Sequence, residues 1–163
     1  MTCQQQVYEE ALQYAIRKHE GQTRIDGLPY ITHPIAVAEI IREKGYGIDY
    51  QITALFHDLL EDTDATKEQI LRFGNDRILE AVELLTKRPG YVMEDYISGI
   101  RGNEIAFVVK GVDRYHNLLS ATCTDDTFKR KYIKETEEWF LDFMPEIKDA
   151  LDQLKKQRMD NKI

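Results

Sequence analysis

Phe56-His57-Asp58-Leu59-Leu60-Glu61-Asp62-Thr63 sets four ionisable side chains inside a stretch that is otherwise apolar. The pattern predicts a helix capped by Asp49 that carries Ile52, Leu55, Phe56, Leu59 and Leu60 toward a core. Residues four apart share a side of a helix, so His57 should stack above Glu61 and Asp58 above Asp62. The two rows differ in heading by about 100° and together form one broad polar face. Burying four such groups without partners is costly. Three arrangements answer that cost: an exposed face, an internal salt-bridge network, or a metal site. The interleaved Leu55, Phe56, Leu59 and Leu60 argue against a simple exposed face.

The rest of the chain reads as helix after helix. Val7, Ala11, Leu12, Tyr14 and Ala15 form an apolar stripe over roughly residues 4–18, followed by the loop GQTRIDGLPYIT with two glycines and a proline. Pro34 suits the first residue of a helix running to Gly45. Thr66 with Gln69 makes a capping box for a short helix that stops near Gly74. A further helix spans about 76–87. Val-rich IAFVVKGV has strand-like residue types, yet Ile105, Val108, Val109 and Val112 follow helical spacing. Two last helices cover about 126–140 and 144–158, with Trp139, Phe140 and Phe143 as packing residues. No repeat, linker or alternating strand interrupts the series, which predicts an all-α helical bundle in a single domain, residues 1–163.

Composition supports an ordinary globular domain: 163 residues, 42% apolar and 31% charged. The net charge of −7 repels duplex DNA, so nucleic acid is not an expected partner. A small anionic substrate then needs local help from a cation or a few placed Arg and Lys. Cys3 and Cys123 make neither a CxxC pair nor a disulfide framework, which points to a reducing cytoplasm. No secretory leader is expected at the N-terminus, and no apolar run approaches the roughly 20 residues that cross a bilayer.

Two further residues favour metal over a salt-bridge network. His33 stands at the loop-to-helix junction Thr32-His33-Pro34, and Asp113 closes the apolar run ending at Val112. Two His and two Asp at helix edges can complete a divalent site, and imidazole with carboxylate suits Mn, Fe, Zn and related ions.

The ordered set His33, His57-Asp58, Asp113 resembles the H…HD…D signature of HD-superfamily phosphohydrolases. The surrounding words are similar to the hydrolase domain of RelA/SpoT-type proteins. They are His19-Glu20-Gly21-Gln22-Thr23-Arg24, Gly27-Leu28-Pro29-Tyr30-Ile31-Thr32-His33-Pro34, His57 to Thr63, Thr86-Lys87 and Val112-Asp113-Arg114-Tyr115-His116-Asn117. The likeness covers roughly residues 5–140. No synthetase or regulatory domain follows it, so a stand-alone small alarmone hydrolase is the expectation. The resemblance implies an HD-domain bundle that removes the 3′-pyrophosphate of ppGpp or pppGpp with Mn²⁺. His33, His57, Asp58 and Asp113 would bind the metal. Glu61 and Asp62 would serve catalysis, without a choice of which is the base. Arg24 and Asn117 would hold the nucleotide.

Two positions depart from the pattern. Ile25 stands where the family often has Lys after Arg24, and Leu118-Leu119 replaces a frequent Met-Arg. Two other readings therefore stay open: an HD phosphohydrolase for another nucleotide or cofactor phosphate, and a non-catalytic nucleotide-sensing module. His19 and His116 are expected to make structural hydrogen bonds, and Arg114 to pair with a carboxylate. Lys87 and Lys110 are either solvated or phosphate-attracting. The oligomeric state is not legible.

Overall fold

The computed structural model describes residues 1–160. The last three positions of the expected domain lie outside the described residues. Helix α1 (Cys3–Lys18) opens on a capping box in which the Thr2 hydroxyl accepts from the Gln5 amide and the Gln5 side chain accepts from the Thr2 amide. After the loop come α2 (Thr32–Glu43), α3 (Ile48–Phe56) and the single turn α4 (Leu59–Asp62). Next are α5 (Lys67–Phe73), α6 (Asp76–Leu85) and α7 (Met93–Arg101). The long α8 (Glu104–Ser120), α9 (Asp126–Trp139) and α10 (Glu146–Asp160) complete the bundle. The described residues are all-α; their one β-type contact is an isolated Thr23–Pro29 bridge in the loop after α1.

Helix α8 is the axis of the molecule. It packs against α2, α3, α6, α7 and α10, and α2 and α3 pack on each other. Phe56, Ile41, Ile52, Leu55, Ile100, Leu118 and Ile147 are among the fully buried side chains between these helices. Gly111 lets α8 approach the segment before α10, because a Cβ there would stand 3.1 Å from the Phe143 carbonyl oxygen. Both cysteines are free and exposed. No helix among the described residues is long and apolar enough to cross a membrane.

The Thr66–Gln69 capping box forms as expected, and the Val-rich segment is helical. Four local readings differ. Pro34 is the third residue of α2, because its missing amide costs nothing anywhere in a first turn. His33 therefore lies inside a helix rather than at a junction. Asp49 is not the cap of α3; Gly47 is, and the Asp49 carboxylate instead accepts from Asn75 (2.9 Å) and Arg77 (2.9 Å), tying α3 to the start of α6. Helix α7 escaped the sequence reading although Tyr96, Ile97 and Ile100 are buried at helical spacing.

The fourth difference bears on function. The helix expected to run through residues 49–62 breaks at His57-Asp58. The His57 ring Nδ1 lies 2.6 Å from the Ala54 carbonyl, taking up an acceptor at the end of α3. Asp58 then leaves helical geometry (φ −119°, ψ 8°), and its own carbonyl restarts the chain by accepting from Asp62 at 2.9 Å. The predicted continuous polar face is thus two short faces meeting at a corner.

Candidate metal centre

Helices α2, α3 and α8 bring three expected ligands to one point. His33 comes from the first turn of α2, His57 from the end of α3, and Asp113 from the middle of α8. Asp113 Oδ1 lies 2.8 Å from His33 Nε2 and 3.3 Å from His57 Nε2. One donor atom from each residue lies within 4.8 Å of the other two. His33, His57, Asp58 and Asp113 are only 2%, 7%, 7% and 6% exposed, so this is an interior cluster and not a solvated face.

Asp58 sits beside the three rather than among them. Its Oδ2 is 3.8 Å from His57 Nε2 and receives the Tyr30 hydroxyl. Its Oδ1 is 3.3 Å from His19 Nε2, but the two are too poorly aligned to bond, and both atoms are buried without a partner. His19 is held by Gln22 at 2.8 Å on its other nitrogen, the structural role expected of it.

Burial and opposite charge act against each other on every group of the cluster. Burial lowers the affinity of His57 for a proton, yet Asp58 and Asp113 together push its pKa up to about 9. Burial works against Asp113 ionising, but Lys110 and His57 hold its carboxyl well below the usual range. Asp58 likewise falls to about 2, with His57, His19 and Tyr30 overcoming its burial. Two inward-facing imidazole nitrogens, an ionised carboxylate oxygen and a second buried carboxylate atom with no aligned partner form a donor set that fits a divalent cation.

Two residues on α8 extend the centre. Lys110, one turn before Asp113, places Nζ 3.1 Å from Asp113 Oδ2. It is neither solvated nor aimed at open space. His116, one turn after, lies 2.8 Å from His33 through its Nδ1. Neither was singled out as a site residue, nor was Tyr30. For Lys110 and His116 the signal was the helical spacing about Asp113, legible only once α8 is known to continue to Ser120; Tyr30, in the loop before α2, had no such spacing.

The other expected residues frame the cluster. Glu61 and Asp62 are exposed on α4. Glu61 accepts from the Lys87 backbone amide at 2.7 Å. Desolvation by the surrounding protein, then the nearby Asp58 and Glu61 charges, raise the pKa of Asp62. Arg24 and Asn117 meet: Arg24 donates to Asn117 Oδ1 at 3.3 Å, while Asn117 Nδ2 donates to Asp113 Oδ1 at 3.2 Å. The loop carrying Arg24 folds back on itself through Arg24 N to Leu28 O (2.8 Å) and Tyr30 N to Gln22 O (2.8 Å). Its tight turn uses Gly27 at φ +84°, a conformation that favours glycine. A cavity of about 240 Å³ opens beside Arg24 and Asn117, bounded by Ile25, Thr124, Phe128 and Tyr132.

Residues 11–140 match the HD domain family. The chain belongs to that family. Over 129 residues it is 34% identical to the bifunctional (p)ppGpp synthase/hydrolase SpoT of Escherichia coli K12, covering 72% of this chain and 18% of SpoT. A guanosine-3′,5′-bis(diphosphate) 3′-pyrophosphohydrolase of Aquifex aeolicus is 34% identical over 117 residues, covering 72% of this chain and 15% of that one. A probable GTP pyrophosphokinase of Mycobacterium leprae is 30% identical over 139 residues, with 80% and 18% covered. The chain thus spans less than a fifth of the length of these curated relatives. Among solved structures, one described as "A metazoan ortholog of SpoT hydrolyzes ppGpp and plays a role in starvation responses" superposes with a TM-score of 0.75. It is 22% identical, and 97% of each chain is covered, so the HD fold is shared from end to end.

Proposed function

We propose that this domain is a divalent-metal phosphohydrolase that removes the 3′-pyrophosphate of (p)ppGpp. The observation that carries the reading is the convergence of His33 Nε2, His57 Nε2 and Asp113 Oδ1. The names of the relatives support the substrate, since several are 3′-pyrophosphohydrolases of guanosine-3′,5′-bis(diphosphate). We assign Mn²⁺ as the cofactor, and Asp58, whose Oδ1 is buried without a hydrogen-bond partner, would be its fourth ligand. The two free cysteines support a cytoplasmic setting.

A bound divalent ion would polarise phosphoryl oxygens and bring the pKa of a bound water near neutrality. The protein's own groups do the rest. Asp62, with its raised pKa, and Glu61 lie one turn beyond His57-Asp58 and orient the water and receive its proton. The water oxygen bonds to phosphorus, the 3′ oxygen leaves, and that oxygen takes up a proton from the same pair. Arg24 and Asn117 hold the nucleotide at the mouth of the adjoining cavity. The acidic chain depends on this arrangement, because a net charge of −7 otherwise repels the substrate.

The test is release of pyrophosphate from ppGpp by the purified protein with Mn²⁺. Asp62→Asn should lower kcat by about 10²- to 10⁴-fold and leave Mn²⁺ binding intact. If saturating Mn²⁺ yields no pyrophosphate from ppGpp, the substrate assignment is wrong. A second reading has its own observation: Ile25 and Phe128 are exposed apolar residues (64% and 41%) lining the cavity beside Arg24 and Asn117. They suit another nucleotide or a cofactor phosphate, and orthophosphate release from such a compound, with ppGpp untouched, would select it. A sensing module has no turnover for Asp62→Asn to remove.

A further inference from the structure

We propose that His116 is a positioning residue of the metal centre, accepting the His33 Nδ1 proton so that His33 Nε2 is committed to the ion. The proposal rests on the metal site argued above. His33 uses both ring nitrogens: Nε2 faces Asp113 Oδ1 at 2.8 Å, and Nδ1 faces His116 Nδ1 at 2.8 Å. The two ring centroids are 5.0 Å apart and the planes differ by 26°. A nitrogen contact this short takes up the centroid separation together with the two ring radii. The rings therefore meet edge to edge and nearly in plane, where an N–H points at a lone pair.

The direction of that bond follows from the neighbours. Two imidazole nitrogens in contact share one proton. The Arg24 guanidinium, which can only donate, lies 3.5 Å from the same His116 Nδ1. His116 Nδ1 thus stands on the accepting side, and the proton sits on His33 Nδ1. A neutral imidazole protonated there carries its lone pair on Nε2, the atom aimed into the donor cluster. An ion seated in the cluster displaces whatever proton Nε2 shares with Asp113, and the proton left on Nδ1 still needs its acceptor. Metal-binding histidines generally have such a partner on the far nitrogen, and its loss weakens metal binding by about 10- to 100-fold. The arrangement also ties the substrate loop to the centre twice, because Arg24 reaches His33 through His116 and Asp113 through Asn117.

The experiment is calorimetric titration of chelator-stripped protein with Mn²⁺ alone, together with the melting temperature of each stripped variant. His116→Ala should weaken the Mn²⁺ Kd by about 10- to 100-fold, and His116→Gln, whose amide oxygen can accept the same proton, should restore most of it. A folded His116→Ala whose Kd stays within roughly twofold of wild type overturns the proposal, even if its melting temperature drops, because that pattern marks a merely structural residue. Gln binding no better than Ala overturns it as well. Should His116→Ala fail to fold, His116→Leu against His116→Gln makes the same comparison, since leucine fills the space and accepts nothing. Wild-type protein that binds no Mn²⁺ overturns the metal site and this proposal together, whereas failure of the His116 series alone leaves the site standing.

Discussion

Asp113 and Arg114 are consecutive, both buried and both charged, yet they face opposite environments across α8. Arg114 points toward α9 and is largely answered by the protein. Its guanidinium lies 4.1 Å from the ring centres of both Tyr132 and Phe140. It pairs with Glu135 at 2.5 Å and donates to Thr136 at 3.3 Å. Asp113 points toward α2 and α3, where its Oδ1 is crowded by two imidazole nitrogens, His33 Nε2 at 2.8 Å and His57 Nε2 at 3.3 Å. Buried charge is therefore no mark of function in itself. A cluster whose donor atoms converge on one another, and whose charges are relieved only by a proton or an ion, is such a mark.

The largest way to break this contrast is Asp113→Ala. It should abolish measurable Mn²⁺ binding and lower turnover by at least about a thousandfold, near 4 kcal/mol of barrier. Unchanged Mn²⁺ affinity in that variant would mean that α8 supplies no ligand. Arg114→Ala should do the reverse, lowering unfolding stability by about 2–3 kcal/mol while Mn²⁺ affinity is retained. That magnitude is below the usual cost of breaking a fully buried pair, because Glu135 is 30% exposed and water screens it. Urea unfolding with and without Mn²⁺ separates the two effects.

A pH series sharpens the Asp113 side. His57 rises from an ordinary 6.5 to about 9 in the metal-free fold. A raised value means that the charged ring stabilises the fold fully below pH 6.5 and that this contribution is lost as pH climbs through 9. Stripped protein should accordingly melt at a lower temperature at pH 9 than at pH 6.5. Mn²⁺-loaded protein should show little of that fall, because the ion replaces the proton. Equal slopes with and without Mn²⁺ would count against a shared site. The smallest effect belongs to Arg114→Lys, which keeps the charge but loses the planar fork and the two ring contacts. About 1 kcal/mol of stability should go, with no change in Mn²⁺ affinity.

Much of this was legible from one dimension. The helical class, the Thr66–Gln69 cap, the Val-rich helix and the carboxylate partner of Arg114 all follow from local periodicity and residue chemistry. Local rules also misled where a distant partner intervened. Asp49 has the chemistry of a cap, but Asn75 and Arg77 claimed its carboxylate. The row of residues 49–62 has the period of one helix, but the His57 ring competed for a backbone acceptor and turned the corner.

The types and order of His33, His57, Asp58 and Asp113 could be read from the chain alone, because ligand chemistry resides in single side chains. Which of their atoms meet was decided by the packing of α2, α3 and α8, and so were the roles of Lys110, His116 and Tyr30. A hydrogen bond between residues 83 positions apart, as between His33 and His116, has no local signature. It exists only because burial of the surrounding apolar faces brings those two backbones together.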